Sequence, residues 1–421
     1  MKRFLPAVAL ALSACVSNTA DQTPSLASAV AERREPVTIL VSIDGFHPGY
    51  LDRGVTPNLS RLAAGGATGP MRPSFPSKTF PNHWTLVTGL VPDRHGIVAN
   101  SFEDPRRPGE VFTMASDDPF WWNDAEPVWV TAEKAGIRTA TVFWPGSNVG
   151  WGGVRASEWP HRVTGDVRPS SWQAYAEPVS EAQRVDAVID LLRRPAATRP
   201  GFLTLYFEAV DTAGHRFGPE ARETSEAIAA TDRSVGRLAA ELEALGQPVN
   251  LVIVSDHGLA ATSSERTVAL DKIVAPADAR IVEAGPYATF VPAPGREAAV
   301  ERALLRPHER MQCWRKRELP PRFRYGANPR VPPYLCLAEM GWTLAKTAPP
   351  EPFTGGNHGY DPHAPEMRAL FIANGPAFRP GVKLAPFDNV SVAPLLRELI
   401  GQSPGQGLDG TAAPFERARR R

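Results

Sequence analysis

Hydrophobic, β-prone runs alternate along the chain with stretches whose apolar positions recur every three or four residues. The pattern predicts strands at 37–43, 139–143, 202–210, 250–255 and 367–372. It predicts helices near 57–65, 129–135, 180–193, 220–245 and 390–399. In 180–193, Val185, Val188, Ile189 and Leu192 fall on one side of a helix, and Gly246 stands where the 220–245 helix would stop. Strands alternating with helices build βαβ units, so the expected fold class is α/β, a mostly parallel sheet sandwiched by helices. The rhythm breaks at about 293–355, which is rich in Pro, Arg and Glu and reads as an inserted subdomain. The stretch 401–421, ending Glu416-Arg-Ala-Arg-Arg-Arg421, reads as a solvated, disordered tail.

Three of the hydrophobic runs end in an acid: Thr38-Ile-Leu-Val-Ser-Ile-Asp44, Phe202-Leu-Thr-Leu-Tyr-Phe-Glu-Ala-Val-Asp211 and Leu251-Val-Ile-Val-Ser-Asp256. Each acid stands near Gly or His, as in Asp44-Gly45, Asp211-Thr-Ala-Gly-His215 and Asp256-His257-Gly258. Strand ends in an open parallel sheet converge on one crevice. Three carboxylates gathered there repel one another unless a cation lies between them. Together with the histidines they point to a metal site, with room for two ions.

Composition narrows the partners. The 421 residues carry a net charge of +1, so bulk charge gives no case for nucleic-acid or membrane-surface binding. Apolar residues make up 43%, enough for a large core, and 43 prolines favour ordered loops over long helices. Lys2 and Arg3 followed by the apolar stretch 4–14 read as an export leader, too short to span a bilayer. It ends Leu12-Ser13-Ala14-Cys15, which matches a bacterial lipobox with Cys15 as the lipidated residue. The expectation is therefore a signal peptide over 1–15, a flexible tether over 16–35 and a catalytic domain over 36–400. The expected location is the periplasm, as an outer-membrane lipoprotein held to the membrane through Cys15. In an exported chain the two other cysteines, Cys313 and Cys336, are expected to pair as a disulfide. Closing a loop of about 24 residues contributes on the order of 3 kcal/mol in the chain-entropy picture.

Two further segments carry chemistry: Pro73-Ser-Phe-Pro-Ser-Lys-Thr79-Phe80-Pro81-Asn82-His83 and Gly355-Gly356-Asn357-His358-Gly359-Tyr360-Asp361. Pro81 marks the start of a helix, which places Thr79 at or beside its N-terminus, where backbone N–H groups favour negative charge. A hydroxyl there, touching a metal, can lose its proton near neutral pH and attack phosphorus.

These blocks, with His95-Gly96-Ile97-Val98-Ala99-Asn100, are similar to those of the nucleotide pyrophosphatase/phosphodiesterase family, part of the alkaline phosphatase superfamily. The resemblance runs from about residue 37 to 400 and implies an alkaline-phosphatase-like core. It implies two Zn²⁺ per chain, one held by Asp211, His215 and His358, the other by Asp44, Asp256 and His257, with Thr79 nearby. It implies a phospho-threonine intermediate on Thr79, with Asn100 and the Phe80 N–H donating to a phosphate oxygen. Phe80 and Tyr175 would sandwich the base of a nucleotide substrate. Trp144-Pro145-Gly146-Ser147 resembles a signature bordering that pocket. Two zinc ions bring four positive charges; three carboxylates and a Thr79 alkoxide cancel them, which suits a monoanionic diester. His83 and His95 are expected to brace the nucleophile helix, and His47, His161, His308 and His363 to lie outside the site. The same metal centre could serve a phospholipase C-like or choline phosphodiesterase, or persist in a non-enzymatic metal-binding surface protein. A deep apolar channel beside Thr79 would favour lipid; an aromatic slot would favour nucleotides.

Overall fold

The computed structural model of the chain describes residues 34–420. The leader 1–15 with Cys15, and the tether up to residue 33, lie outside the described residues. A nine-stranded sheet forms the centre. Its order is Val382–Lys383, Ala67–Arg72, Ala369–Asn374, Val249–Val254, Val37–Ile43, Phe202–Phe207, Thr139–Val142 and Ser171–Gln173, with Phe387–Asp388 also on Ala67–Arg72. All neighbours run parallel except Ala369–Asn374, which is antiparallel to both of its partners. This is the mixed α/β, mostly parallel architecture that the sequence pattern predicts.

Strand side chains alternate between faces. Ala369, Phe371 and Ala373 join one core with Trp84, Leu86 and Val87 of the helix Thr79–Thr88. Leu370 and Ile372 join the other, with Leu59 of Pro57–Ala64, Val188 and Ile189 of Glu181–Arg193, and Ile228 and Val235 of Arg222–Ala244. Because both faces are covered, Val37–Ile43 is buried along its whole length and Val249–Val254 from Asn250 onward, hence their Val/Ile/Leu-rich runs. Glu181–Arg193 starts at a capping box: Ser180 accepts from Gln183 N–H, and the Gln183 side chain accepts from Ser180 N–H.

Several expectations need correction. The run 202–210 is not one strand: pairing stops at Phe207, and Asp211 lies in the first turn of the helix Ala209–Phe217. Strand 139–143 stops at Val142, because Phe143 has φ +64° and leaves the extended region. The inserted subdomain begins before 293. Its antiparallel sheet runs Ala279–Ile281, Tyr287–Pro292, Tyr334–Ala338, Met311–Arg315. Cys313 faces Cys336 across the last two strands, Cα–Cα 4.0 Å, and the two are joined as a disulfide. Nor is 401–420 a disordered tail. Phe415 is fully buried, stacked on Phe371 at 5.0 Å between ring centroids and edge-on to Phe387 at 4.9 Å. Arg419 pairs with Glu398 and bridges Phe378. The basic run hid one aromatic anchor, whose burial outweighs the solvation of its charged neighbours.

Candidate active site

Three adjacent parallel strands deliver the acids. Asp44 follows Val37–Ile43, Asp256 stands just past Val249–Val254, and Asp211 enters through the helix after Phe202–Phe207. Gly45 sits between the first and the third. It has φ +67°, and a Cβ there would lie 3.0 Å from both Asp211 Cβ and Oδ1. A side chain would therefore push the two acids apart. The helix places Asp211 and His215 four residues apart on one face, with His215 Nε2 3.3 Å from Asp211 Oδ2.

The structure gathers all six expected ligand residues into two groups that could hold a metal ion. They are Asp211, His215 and His358, and Asp44, Asp256 and His257; within each, the ligand atoms lie within 4.8 Å of one another. The second group is fully buried, whereas His215 opens the first to solvent. Between the groups the rings of His257 and His358 stack at 3.5 Å.

The donor set fits metal ions. Each of the three histidines turns Nδ1 to a main-chain carbonyl: His257 to Gly258 at 3.1 Å, His215 to Gly356 at 2.8 Å, His358 to Ser77 at 2.8 Å. A ring that donates from Nδ1 keeps Nε2 as a lone pair, the form a cation needs. These Nε2 atoms face one another or carboxylates: His358 to His215 at 3.0 Å, His257 to Asp256 Oδ2 at 2.9 Å. Asp44 Oδ1, Asp211 Oδ1 and Asp256 Oδ2 are buried without a hydrogen-bond donor. Orphaned carboxylate oxygens are costly unless a cation sits on them. Burial, then repulsion from Asp256 and Asp211, drives the Asp44 carboxyl well above its usual range. Burial and Asp211 do the same to Asp256. Burial holds the His257 imidazolium down, and burial with the neighbouring His257 and Lys78 charges holds down that of His358. Without a cation this cluster resists its own ionisation.

Thr79 is the first residue of the helix Thr79–Thr88 and is buried beside both groups, its Oγ1 3.4 Å from His257 Nε2. Lys78 caps that helix in extended geometry without a side-chain bond, so no side-chain cap occupies its N–H groups. The Phe80 N–H donates to Asn100 Oδ1 at 3.0 Å. Of the expected pair of phosphate donors only one is free: the Phe80 N–H is satisfied on Asn100 Oδ1, while the Asn100 amide nitrogen has no protein partner among the described residues.

His83 braces the helix as expected. Its Nδ1 meets Thr79 O at 2.9 Å and its Nε2 meets Ser42 Oγ at 2.8 Å. His95 meets Pro81 O at 3.1 Å and Thr85 Oγ1 at 3.0 Å, and accepts from Ile97 N–H. Burial pushes each imidazole down to about 3. A folded-state value below the ordinary 6.5 means that stability is complete above pH 6.5 and drains as pH falls towards 3. Each uncompensated proton costs about 1.4 kcal/mol per pH unit. The variant His95→Gln should therefore lose melting temperature less steeply than the native chain between pH 6.5 and 4; parallel melting profiles would refute the assignment.

Beside Thr79 opens a pocket of about 390 Å³. Phe80, Asn100 and Tyr175 line it, as expected, along with Trp144, Pro145 and Gly146 of the quoted signature. His161 and His363 are exposed and His47 and His308 half-buried, all outside the two groups. Sequence reasoning missed Tyr206, whose hydroxyl donates to Asp44 Oδ2 at 2.6 Å, and Glu208, at the pocket wall. A hydroxyl-bearing ring near the end of a buried strand was the available signal for Tyr206.

Known proteins match this arrangement along most of its length. Murine ectonucleotide pyrophosphatase/phosphodiesterase 5, an inactive threonine-to-alanine form in complex with AMP, superposes with a TM-score of 0.84 at 30% identity, covering 92% of this chain and 100% of that one. A bis(5'-adenosyl)-triphosphatase of Xenopus laevis is 36% identical, over 89% of this chain and 80% of its own. An uncharacterized pyrophosphatase/phosphodiesterase of Schizosaccharomyces pombe is 34% identical, over 91% and 81%. The family description "Type I phosphodiesterase / nucleotide pyrophosphatase" matches residues 38–361, a span that encloses Thr79 and both carboxylate–histidine groups. The chain belongs to that family and is a hydrolase.

Proposed function

We propose that the chain is a zinc-dependent phosphodiesterase/nucleotide pyrophosphatase that releases nucleoside monophosphates through a phosphothreonine at Thr79. The observation that carries it is Thr79 Oγ1 at a helix N-terminus, 3.4 Å from His257 Nε2 and beside the buried, orphaned carboxylates. One ion would be held by Asp211, His215 and His358, the other by Asp44, Asp256 and His257. Bound there, zinc supplies Lewis acidity and screens the phosphate charge. Thr79 Oγ forms a bond to phosphorus as the bond to the leaving group breaks. Water then cleaves the phosphothreonine, returning the hydroxyl and freeing the monophosphate. Asn100 lends its amide N–H to a non-bridging oxygen. Support comes from the relative whose inactive form is a threonine-to-alanine variant with AMP bound.

The pocket favours nucleotides over lipid. It joins rings (Phe80, Trp144, Phe143, Tyr175) to polar groups (Asn100, Asn148, Glu208), which suits a base and ribose better than an acyl chain. Side-by-side rates on a nucleotide diester and a lysophospholipid test this. We expect the nucleotide to win by at least about tenfold in kcat/KM; a faster lipid reaction would move the protein to the phospholipase C-like reading. Export and lipidation at Cys15 rest on the leader sequence alone, and mass analysis of the mature N-terminus would decide them.

A further inference from the structure

One wall of the pocket is built around a buried ion pair. Arg184, 1% exposed, donates from Nη2 to Glu208 Oε1 at 2.7 Å and pairs through Nη1 with Oε2. It also donates to Val179 O and Tyr206 O, each at 3.0 Å. Its guanidinium lies over the Phe143 ring at 4.5 Å and the Tyr175 ring at 5.8 Å. Phe143 meets Tyr175 edge-on at 5.8 Å, and holds a left-handed φ of +64° that a bulky aromatic adopts only under constraint. Its N–H donates to Gln173 O at 2.9 Å, which fixes that backbone.

Glu208 is the N-cap of the helix Ala209–Phe217 but makes no side-chain cap bond there. Its side chain turns to Arg184 and stays 24% exposed while lining the pocket. A carboxylate needed only to neutralise Arg184 could be buried entirely. Here Arg184 uses one lone pair on each oxygen and the Tyr175 hydroxyl also bonds to the carboxylate, whereas an ionised carboxylate has about four acceptor sites. Acceptor capacity is left over, in a fixed place, beside the Phe143 and Tyr175 rings of the pocket.

We propose that Glu208, fixed by Arg184, is a specificity-determining acceptor for the nucleoside part of the substrate. It takes a hydroxyl or amino donor of that part, from the ribose or the base, and turns away a nucleoside bearing an added anionic group at that position. Arg184 is a positioning residue. The inference rests on the nucleotide reading and deepens it.

The test compares para-nitrophenyl esters of a nucleoside monophosphate with para-nitrophenyl phenyl phosphate, which has no nucleoside. The full chain should prefer the nucleoside ester, and Glu208→Gln should cut that preference in kcat/KM by about 10- to 100-fold, a typical effect of losing a bond to a charged group. Because an unpaired Arg184 can unfold the chain, Arg184→Met/Glu208→Gln is tested beside it, with melting curves for both. Substrate arms on the unaltered chain need no variant: against the adenosine parent ester stand 2′-deoxy and 3′-deoxy esters, each lacking one hydroxyl donor, an inosine ester, which exchanges the 6-amino donor for a carbonyl and an N1–H, and a 2′-phosphorylated ester. At least one deoxy or inosine arm should fall tenfold, naming the donor, and the phosphorylated arm should fall further. If every arm stays within threefold of the parent ester, the proposal is overturned. If the full chain shows no preference for a nucleoside ester at all, the nucleotide reading fails and this inference falls with it.

Discussion

Thr79→Ala is expected to reduce turnover of a para-nitrophenyl nucleotide ester by about a thousandfold or more, in line with loss of a covalent nucleophile. The side chain is small and sits at the first position of its helix, where its hydroxyl caps nothing; among the described residues its hydrogen-bond partner is His257. The fold should survive, because what anchors the helix belongs to other residues: Asn82 on Pro76 O and Lys78 O, His83 on Ser42 Oγ, His95 on Pro81 O. AMP affinity should survive as well, since Phe80, Asn100 and Tyr175 of the pocket wall are untouched. Quenched-flow labelling of the native chain should trap phosphate on Thr79, and none in the variant. More than about one percent residual kcat/KM, with no contaminating enzyme, would remove Thr79 from the mechanism.

Stripping metal should have an effect of similar size on activity and a second one on stability. Three buried carboxylate oxygens lack donors, and two of the acids are driven towards their neutral forms by burial and mutual repulsion. Cations remove that conflict, so an ion bound at a thousand times its dissociation constant stabilises the native state by about 4 kcal/mol. Dialysis against a chelator should abolish turnover and lower the melting temperature by several degrees. Zinc should restore both, saturating at two ions per chain by elemental analysis. Full activity after exhaustive chelation would end the metal reading; saturation at one ion would leave one of the two groups without its assigned role.

Much of this site was legible because its chemistry is written at strand ends. Asp44 and Asp256 follow Val/Ile/Leu-rich runs, and such runs read as buried parallel strands. Asp211 was found for a partly wrong reason: the β-prone run conceals a turn at Glu208, and the helix beyond it puts Asp211 and His215 on one face. What stayed hidden depends on where the chain bends. Phe143 leaves its strand with a left-handed backbone, and nothing in Thr-Val-Phe-Trp-Pro announces that. Arg184 reads as one more polar residue on an amphipathic helix, yet it is among the largest fully buried side chains. Phe415 was masked by the arginines after it, because composition averages a window while burial is decided by one ring.

The strand Ala369–Asn374 doubles as a splice. Among the described sheet pairings it is the one that links Ala67–Arg72, and with it the approach to the Thr79 helix, to Val249–Val254. The helix also reaches the centre directly, through His83 on Ser42 Oγ. A chain cut short of residue 369 would keep every residue of the site yet lose that ladder, leaving attacking group and cation cradle aligned by side-chain contacts alone.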